Sequence, residues 1–150
     1  MALRPDRNEV VTDISFFMNE TAESGLIVAA STQGSGAAMD DSTAAVKVVS
    51  AAADEPVGLL LNDVVNLDLT RQHINYGKDE VQKGGKVAIL RVGTVVTDQI
   101  SGSITLGEEA FFSADGKLTS KTAFSGSTQV GRWLSKKDAD GFAKVAINIV

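Results

Sequence analysis

The stretch that decides the fold runs from Lys86 to Thr97 and reads Lys-Val-Ala-Ile-Leu-Arg-Val-Gly-Thr-Val-Val-Thr. Most of these residues are β-branched or aliphatic, which is typical of a strand. Gly84 and Gly85 precede the run and Gly93 interrupts it, so it is too short and too rich in glycine for a buried helix. We predict that it is the central strand of a small all-β domain, with a bend or bulge at Gly93.

The chain that follows this strand predicts a series of antiparallel hairpins. Asp115-Gly116 is a strong two-residue turn signal. Near the end, Val145, Ile147 and Ile149 alternate with less apolar residues, as in a strand with one buried face. The predicted fold class is therefore all-β, either a small antiparallel β-barrel or a β-sandwich with an extended N-terminal arm. The predicted core residues are Val87, Ile89, Val95, Phe111, Val130, Trp133, Val145, Ile147 and Ile149.

Shorter runs between the N-terminus and the central strand also predict strands. Gly25–Ala30 and Val57–Leu61 are apolar and strand-sized, and Val65–Leu69 alternates apolar with polar residues. Ala44–Ala53 is ambiguous, because its alanines permit a helix while its valines permit a strand. We favour the strand there.

Residues 1–18 are predicted to be the extended arm, and residues 19–150 to be a single β-rich domain. Phe16, Phe17 and Met18 concentrate apolar surface close to the chain terminus. Two interpretations fit this cluster. It is either a strand that packs on the core of its own chain or an arm that docks on another chain.

The polar segment Arg71–Lys83 stands out because long connections inside a compact domain are often functional. It contains the only histidine and the only tyrosine, and its arginine and tyrosine suit a protein–protein contact. A solvated loop is the other interpretation. The candidate interface residues of the whole chain are Phe16, Phe17, Met18, Arg71, His73, Ile74 and Tyr76.

Composition excludes several classes of partner. The net charge of −5, with 14 basic against 19 acidic residues, opposes generic nucleic-acid binding. No apolar run approaches the ~20 residues that span a bilayer, so we expect no membrane partner. Cysteine is absent, which excludes disulfides and thiolate chemistry. Without a secretory signal, synthesis in a cytoplasm-like compartment is expected.

Motifs for catalysis or ligand binding are incomplete. Gly34-Ser35-Gly36 is not followed by the Lys-Ser/Thr pair of a phosphate loop. Asp138–Gly141 lacks the later glutamate of a calcium loop. Glu108 and Glu109 are neighbours, so on a strand they face opposite sides, and His73 has no second histidine or cysteine as a metal co-ligand. We therefore predict no catalytic residues, no cofactor, no metal and no enzyme activity.

Several segments together resemble the head decoration, or cement, proteins of tailed bacteriophages and cyanophages. The resemblance extends over roughly Thr12 to Val150. The segments that carry it are Thr12–Glu20, Pro56–Val65, Asn75–Val81, Gly84–Val87, Leu106-Gly107-Glu108, Asp115-Gly116-Lys117-Leu118 and Val130-Gly131-Arg132.

The resemblance implies a β-rich structural virion protein that binds the outer surface of the assembled capsid and stabilises it. It implies the major capsid protein as partner and synthesis in the host cytoplasm. It also implies a homo-oligomer, with a trimer favoured over a dimer because capsid lattices offer local three-fold positions. The first alternative is a receptor- or glycan-binding virion module, which would need exposed aromatic side chains. The second is a cell-wall hydrolase.

Overall fold

The computed structural model describes residues 3, 7–31, 45–63, 80–81, 86–120 and 126–149. Over this part the chain is all-β, as predicted, and forms no helix. The strands are β1 Asn8–Met18, β2 Ala22–Glu23, β3 Ile27–Ser31, β4 Ala45–Val48, β5 Pro56–Asp63, β6 Glu80–Val81, β7 Lys86–Thr97, β8 Glu109–Phe112, β9 Leu118–Thr119, β10 Gln129–Trp133 and β11 Ala143–Asn148.

Nine of these strands form one mixed sheet, in the order β1-β4-β3-β5-β7-β11-β10-β8-β9. β1 and β4 run parallel, and the other pairings in the sheet are antiparallel. β2 and β6 form a separate two-stranded sheet. The hairpins predicted for the second half are present as the antiparallel pairs β8–β9 and β10–β11.

β7 is the central strand, and it coincides with the stretch from which the sequence analysis began. It pairs with β1 from Lys86, opposite Phe17, to Thr94, opposite Asn8. It also pairs with β5 over residues 87–90 and with β11 over residues 92–97. Since a strand has two hydrogen-bonding edges, β1 occupies one edge of β7 while β5 and β11 share the other in succession.

The pairings also close a circuit. β1 pairs with β4, β4 with β3, β3 with β5, β5 with β7, and β7 again with β1. These five strands therefore form a ring in which each member has a partner on both sides. The remaining strands of the sheet, β11, β10, β8 and β9, extend from β7 outside this ring.

Both faces of the first half of β7 are buried, in two separate apolar clusters. Val87 and Ile89 face the cluster that we call the ring core, and Ala88 and Leu90 face the one that we call the main core. This explains why residues 87–90 are an unbroken apolar run, because a strand covered on both faces has no polar side. Fully burying one such aliphatic side chain contributes roughly 1.5–3 kcal/mol.

The two cores share strands β3, β5 and β7, which contribute side chains to both. The ring core takes one residue or more from each strand of the ring, and the main core also includes residues of β8 to β11. The ring core is Met18, Ala22, Val28, Val46, Leu60, Val87 and Ile89. The main core is Leu3, Ile27, Ala29, Val49, Leu59, Leu61, Ala88, Leu90, Val95, Ile100, Ala110, Phe112, Leu118, Val130, Trp133, Ala143, Val145, Ile147 and Ile149.

The predicted core is confirmed except at Phe111. Eight of the nine predicted residues are buried, whereas Phe111 is half-buried and its neighbour Phe112 is fully buried. The prediction of Phe111 was wrong by one position. On β8 it is Ala110 and Phe112 that face the main core, and side chains alternate between the two faces of a strand.

The turn predicted at Asp115-Gly116 joins β8 to β9 and packs on the ring strands. Gly116 has φ +83°, the left-handed conformation that favours glycine. Its carbonyl oxygen accepts a hydrogen bond from the backbone N–H of Ile27 at 2.8 Å, so the turn is attached to β3. A side chain at position 116 would also meet Val48, with its Cβ 2.5 Å from Cγ1.

The N-terminal arm stays a prediction. Residues 8–18 form strand β1, which is hydrogen-bonded to β7 of the same chain. Further toward the terminus, Leu3 bridges to Thr97 and is buried in the main core. The segment Ala44–Ala53, which permitted helix or strand, contains β4. The strand predicted at Val65–Leu69 lies outside the described residues.

Gly93 is required by the close approach of β1. A Cβ at this position would lie 2.2 Å from the carbonyl oxygen of Asn8 and 3.0 Å from Leu90 Cδ1. The pairing of β7 with β11 passes through Gly93 without a register shift. The shifts lie in the β1–β7 pairing, the first of them between Glu9, which is opposite Gly93, and Val11.

Val145→Asp is expected to destabilise the protein by several kcal/mol, because it places an unpaired charge in a fully buried site. Val145 lies between Val95 on β7 and Trp133 on β10. Asn148→Asp adds the same charge on an exposed position of the same strand and serves as the control. Thermal unfolding measures both; equal melting temperatures for the two variants would contradict the assignment of the strand face.

Gly93→Ala is expected to loosen β1 from β7, because the new methyl group collides with the backbone of Asn8. Overpacking of this kind costs about 1–3 kcal/mol. Gly102→Ala is the control. It also places a methyl group at a glycine of positive φ (+76°), but nothing lies within 4 Å of that methyl group. Urea unfolding with amide hydrogen exchange should show a larger loss of stability for Gly93→Ala, with the protection lost first in β1.

Candidate interaction surface

The exposed edge of β1 carries most of the large apolar side chains that are exposed in the described part of the chain. Val10, Val11 and Ile14 are 64%, 46% and 52% exposed, and they are three of the five large apolar side chains that are exposed in the described part of the chain. All three are β-branched and lie within five consecutive residues. We call residues 8–15 the β1 edge.

The pairing of β1 leaves one side of this edge open. β1 pairs with β7 along its length, but its pairing with β4 is limited to Phe17 and Met18. Within the described residues, no second strand pairs with residues 8–16. An open strand edge presents unpaired N–H and C=O groups and is a template for pairing with another chain.

Charged groups flank the apolar residues of the β1 edge. The Arg7 guanidinium lies 2.7 Å from the carboxylate of Glu9, and both side chains are about one-third exposed. The Asp13 carboxylate accepts hydrogen bonds from the backbone N–H and the hydroxyl of Ser15. These hydrogen bonds, above all that from the hydroxyl, lower the pKa of Asp13, and the charge of Arg91 adds to the effect.

The Asp13–Ser15 contact coincides with a break in the β1–β7 ladder. Asp13 pairs with Ile89 and Phe16 with Val87, so β1 has two residues, Ile14 and Ser15, where β7 has one. At this point the Asp13 carboxylate accepts a hydrogen bond from the backbone N–H of Ser15. The bulge leaves the side chain of Ile14 exposed to solvent.

A second candidate surface lies on β10 and β11. An open depression of about 450 Å³ is lined by Gln129, Gly131, Arg132, Leu134, Ala146 and Asn148. Arg132 Nη1 donates a hydrogen bond to the carbonyl oxygen of Gly107 at 3.0 Å, and Leu106 beside Gly107 is 64% exposed. The depression mixes amide, guanidinium and aliphatic groups, which suits a polar protein contact.

The structure separates the predicted interface residues. Phe16 and Phe17 are half-buried at the end of β1, and Phe16 packs against the ring core. Met18 is fully buried in that core. The other four, Arg71, His73, Ile74 and Tyr76, lie outside the described residues, so their contact with another chain stays a prediction.

Val10, Val11 and Ile14 were not among the predicted interface residues. The run 10–18 was recognised as apolar, but the bulges in β1 shift its side chains out of simple alternation. A period-two pattern could therefore not assign them to a face. The available signal was the concentration of β-branched residues beside Glu9 and Asp13, near the chain terminus.

The described residues contain no group of histidine, aspartate and glutamate side chains that could hold a metal ion. No helix in this part of the structure has the length and apolarity needed to cross a membrane. What the described surface offers is strand edges, exposed aliphatic side chains and scattered charges.

Comparison with known families identifies the chain. The family of structural cement proteins of phages (E217 gp24/Pam3 gp6) matches residues 9–148. The chain belongs to this family. A comparison with individually characterised proteins gives no match. The match extends from the first residues of β1 to the end of β11, so it includes both cores and both candidate surfaces.

Membership confirms the resemblance noted in the sequence. The cement protein is a structural component of the phage virion that stabilises the capsid, and it associates with that capsid. The surfaces described above are therefore candidates for contacts with neighbouring proteins of the particle.

The pKa of Asp13 is expected to lie below its ordinary value of 3.8 in the folded protein. Since the folded pKa is lowered, the stabilisation is complete above the ordinary value and is lost as the pH falls through the folded pKa. Ser15→Ala removes the hydroxyl donor and should raise the pKa of Asp13 toward its ordinary value.

NMR titration of the Asp13 carboxyl measures this effect. Ser113→Ala is the matched control, because Ser113 donates to Asp115 in the same way and should change the pKa of Asp115 alone. An unchanged pKa of Asp13 in Ser15→Ala would contradict the assigned cause.

Proposed function

We propose that the cement protein binds the outer surface of an assembled phage capsid, through the major capsid protein, and holds neighbouring capsid subunits together. The observation that carries this proposal is the family match over residues 9–148. The role is structural, with no catalytic residue and no cofactor. The protein is made in the host cytoplasm and remains on the outside of the virion.

Stiffness is the physical property that such a role needs. We infer that the circuit β1-β4-β3-β5-β7 is a small barrel, the alternative that the sequence left open beside a sandwich. The circuit closes where Phe17 and Met18 of β1 pair with β4, and at that level each of its strands is paired on both sides, which resists peeling of the ladder from a free edge. The main core then braces the barrel from outside through Leu59, Leu90 and Ile147.

Attachment is proposed to rest on many modest contacts. Because the net charge is −5, a purely electrostatic contact with the capsid would depend on local groups of charged residues and not on the overall charge. A single interface below ~1,200 Å² is usually weak, whereas linking several raises avidity by roughly 10²–10⁴. We propose a homo-oligomer for this reason, with a trimer favoured at the local three-fold positions of a capsid lattice.

The anchors of this contact are proposed to include Phe16 and Phe17, which are half-buried at the end of β1. Met18 supports them from inside the ring core. Arg71, His73, Ile74 and Tyr76 are proposed as the second part of the interface. A glycan-binding module would need an exposed ring for stacking, and the single tryptophan, Trp133, is fully buried.

Undecorated particles test the proposal directly. Adding the purified cement protein should decorate their outer surface in a regular array, visible by electron cryomicroscopy. Decorated particles should withstand a higher temperature or a stronger osmotic shock than undecorated ones, because each bound copy ties capsid subunits together.

The control is the Val145→Asp variant, which keeps the surface residues but disrupts the main core. It should neither decorate nor protect. Two results would contradict the proposal: wild-type protein that leaves the particles bare, or fully decorated particles that burst under the same conditions as bare ones. Removing residues 1–18 is a less specific test, since it also takes Met18 from the ring core and Leu3 from the main core.

A further inference from the structure

The β10–β11 hairpin has one face in the main core and one face in solvent. Arg132 lies opposite Ala146 in a ladder that has no register shift between these two strands. The backbone N–H of Leu134 donates to the carbonyl oxygen of Lys144 at 2.9 Å, which continues the same ladder by one further pair. Because paired residues and every second residue share a side, Arg132, Leu134, Lys144 and Ala146 lie on one face. We call it the hairpin face.

The centre of the hairpin face is the open depression of about 450 Å³. It is shallowly filled because two of its lining residues, Gly131 and Ala146, are small. Glycine is required at position 131, since a Cβ there would lie 1.8 Å from the carbonyl oxygen of Ala146. Gln129 and Asn148 also line the depression and bring side-chain amides to it. An amide both donates and accepts hydrogen bonds, as contact with a polypeptide backbone requires.

Exposed apolar side chains lie beside this depression. Leu134 is 43% exposed and Leu106 is 64% exposed, and they are the two large apolar residues exposed outside β1 in the described part of the chain. The backbone N–H of Gly107 donates to the carbonyl oxygen of Trp133 at 3.0 Å, so the turn that carries Leu106 is attached next to Leu134. Two leucines that are distant in sequence are therefore brought to the same region of the surface.

The hairpin is basic, although the chain as a whole is acidic. Residues 129–149 contain four basic and two acidic residues, which leaves ten basic and 17 acidic residues in the rest of the chain (14 − 4 and 19 − 2). The basic residues are Arg132, Lys136, Lys137 and Lys144. Of the two acidic residues, Asp138 has its carboxylate turned to the hairpin's own backbone, where it accepts hydrogen bonds from two N–H groups at 2.9 Å.

We propose that the hairpin face binds an acidic segment of the capsid shell, with carboxylates of that segment on Lys144 and Arg132 and an apolar side chain in the depression. This inference deepens the proposed function and rests on it, because it names one surface that contacts the capsid. Complementary charge steers two surfaces together and sets their orientation. The apolar part of the contact removes Leu134 from water.

Charge also separates this occupant from two others. A second copy that docked with its own hairpin face would bring Lys144 and Arg132 against the same cations, and like charges in contact are unfavourable. Nucleic acid is disfavoured by the net charge of −5. In addition, Glu109 lies opposite Arg132 in the β8–β10 ladder, so the positive charge of the hairpin face is greatest on the side of Lys144.

Lysine footprinting on decorated particles tests which face is covered. N-hydroxysuccinimidyl acetate modifies exposed lysines, and mass spectrometry measures the extent at each position. Lys144 should lose most of its reactivity when the protein decorates undecorated particles. Lys47 on β4 is the internal control and should keep its reactivity. The same measurement on the free protein at equal concentration reports any contact between copies.

Removal of one cation tests the acidic character of the occupant. Lys144→Gln should weaken binding to undecorated particles roughly two- to fivefold, which is the range expected for one exposed ion pair. Lys47→Gln makes the same chemical change away from the hairpin face and should bind as wild type does. Raising the ionic strength from about 0.05 M to about 0.5 M should weaken wild-type binding more than that of Lys144→Gln, because salt screens exposed charges.

Filling the depression tests the contact without any change of charge. Ala146→Phe places a ring in the depression and should abolish decoration. Ala51→Phe adds the same ring at an exposed position in the turn before β5 and should leave decoration unchanged. Circular dichroism and thermal unfolding of each variant show whether the fold is retained.

The outcomes separate this inference from the proposed function. Protection of Lys144 on particles, with a smaller salt effect in Lys144→Gln, supports the inference. Lys144 that stays reactive on decorated particles overturns it while the proposed function stands. Lys144 that is already protected in the free protein overturns the occupant, since a second copy then covers the face. Protection without any effect of Lys144→Gln overturns the acidic chemistry. If wild-type protein leaves the particles bare, it is the proposed function that fails.

Discussion

The pairing of β7 on both edges and its burial on both faces is the constraint on which the other elements depend. Its first half is held between β1 and β5, its second half between β1 and β11, and its side chains supply both cores. No position in residues 87–90 can take a polar side chain without placing it in one core or the other. The ring, the outer strands and the alignment of the N-terminal segment all follow from this one strand.

Much of this arrangement could be predicted from the sequence, because β-branched residues and glycine act locally. The run from Lys86 to Thr97 was recognisable as a strand, and Asp115-Gly116 as a turn, since each signal depends on its own few residues. Trp133 and Val145 were assigned to the core correctly for the same reason.

What could not be predicted depends on pairing between distant strands. A shift by one residue exchanges the faces of a strand, which is why Phe111 was chosen in place of Phe112. The parallel pairing of β1 with β4 and the closure of the ring have no local signature. The exposure of Val10 and Ile14 could not be predicted either, because it depends on the bulges in β1. A bulge is defined only relative to the partner strand, which the local sequence does not identify.

Closure of the ring has a consequence for the order of events during synthesis. Asn8 pairs with Thr94, 86 positions later in the chain (94 − 8 = 86). At ~5–20 residues per second, residue 8 therefore waits roughly 4–17 seconds before its partner on β7 is made. During that interval Phe17 and Met18 can pair with β4 but not with β7, so the ring can close only after β7 has been synthesised.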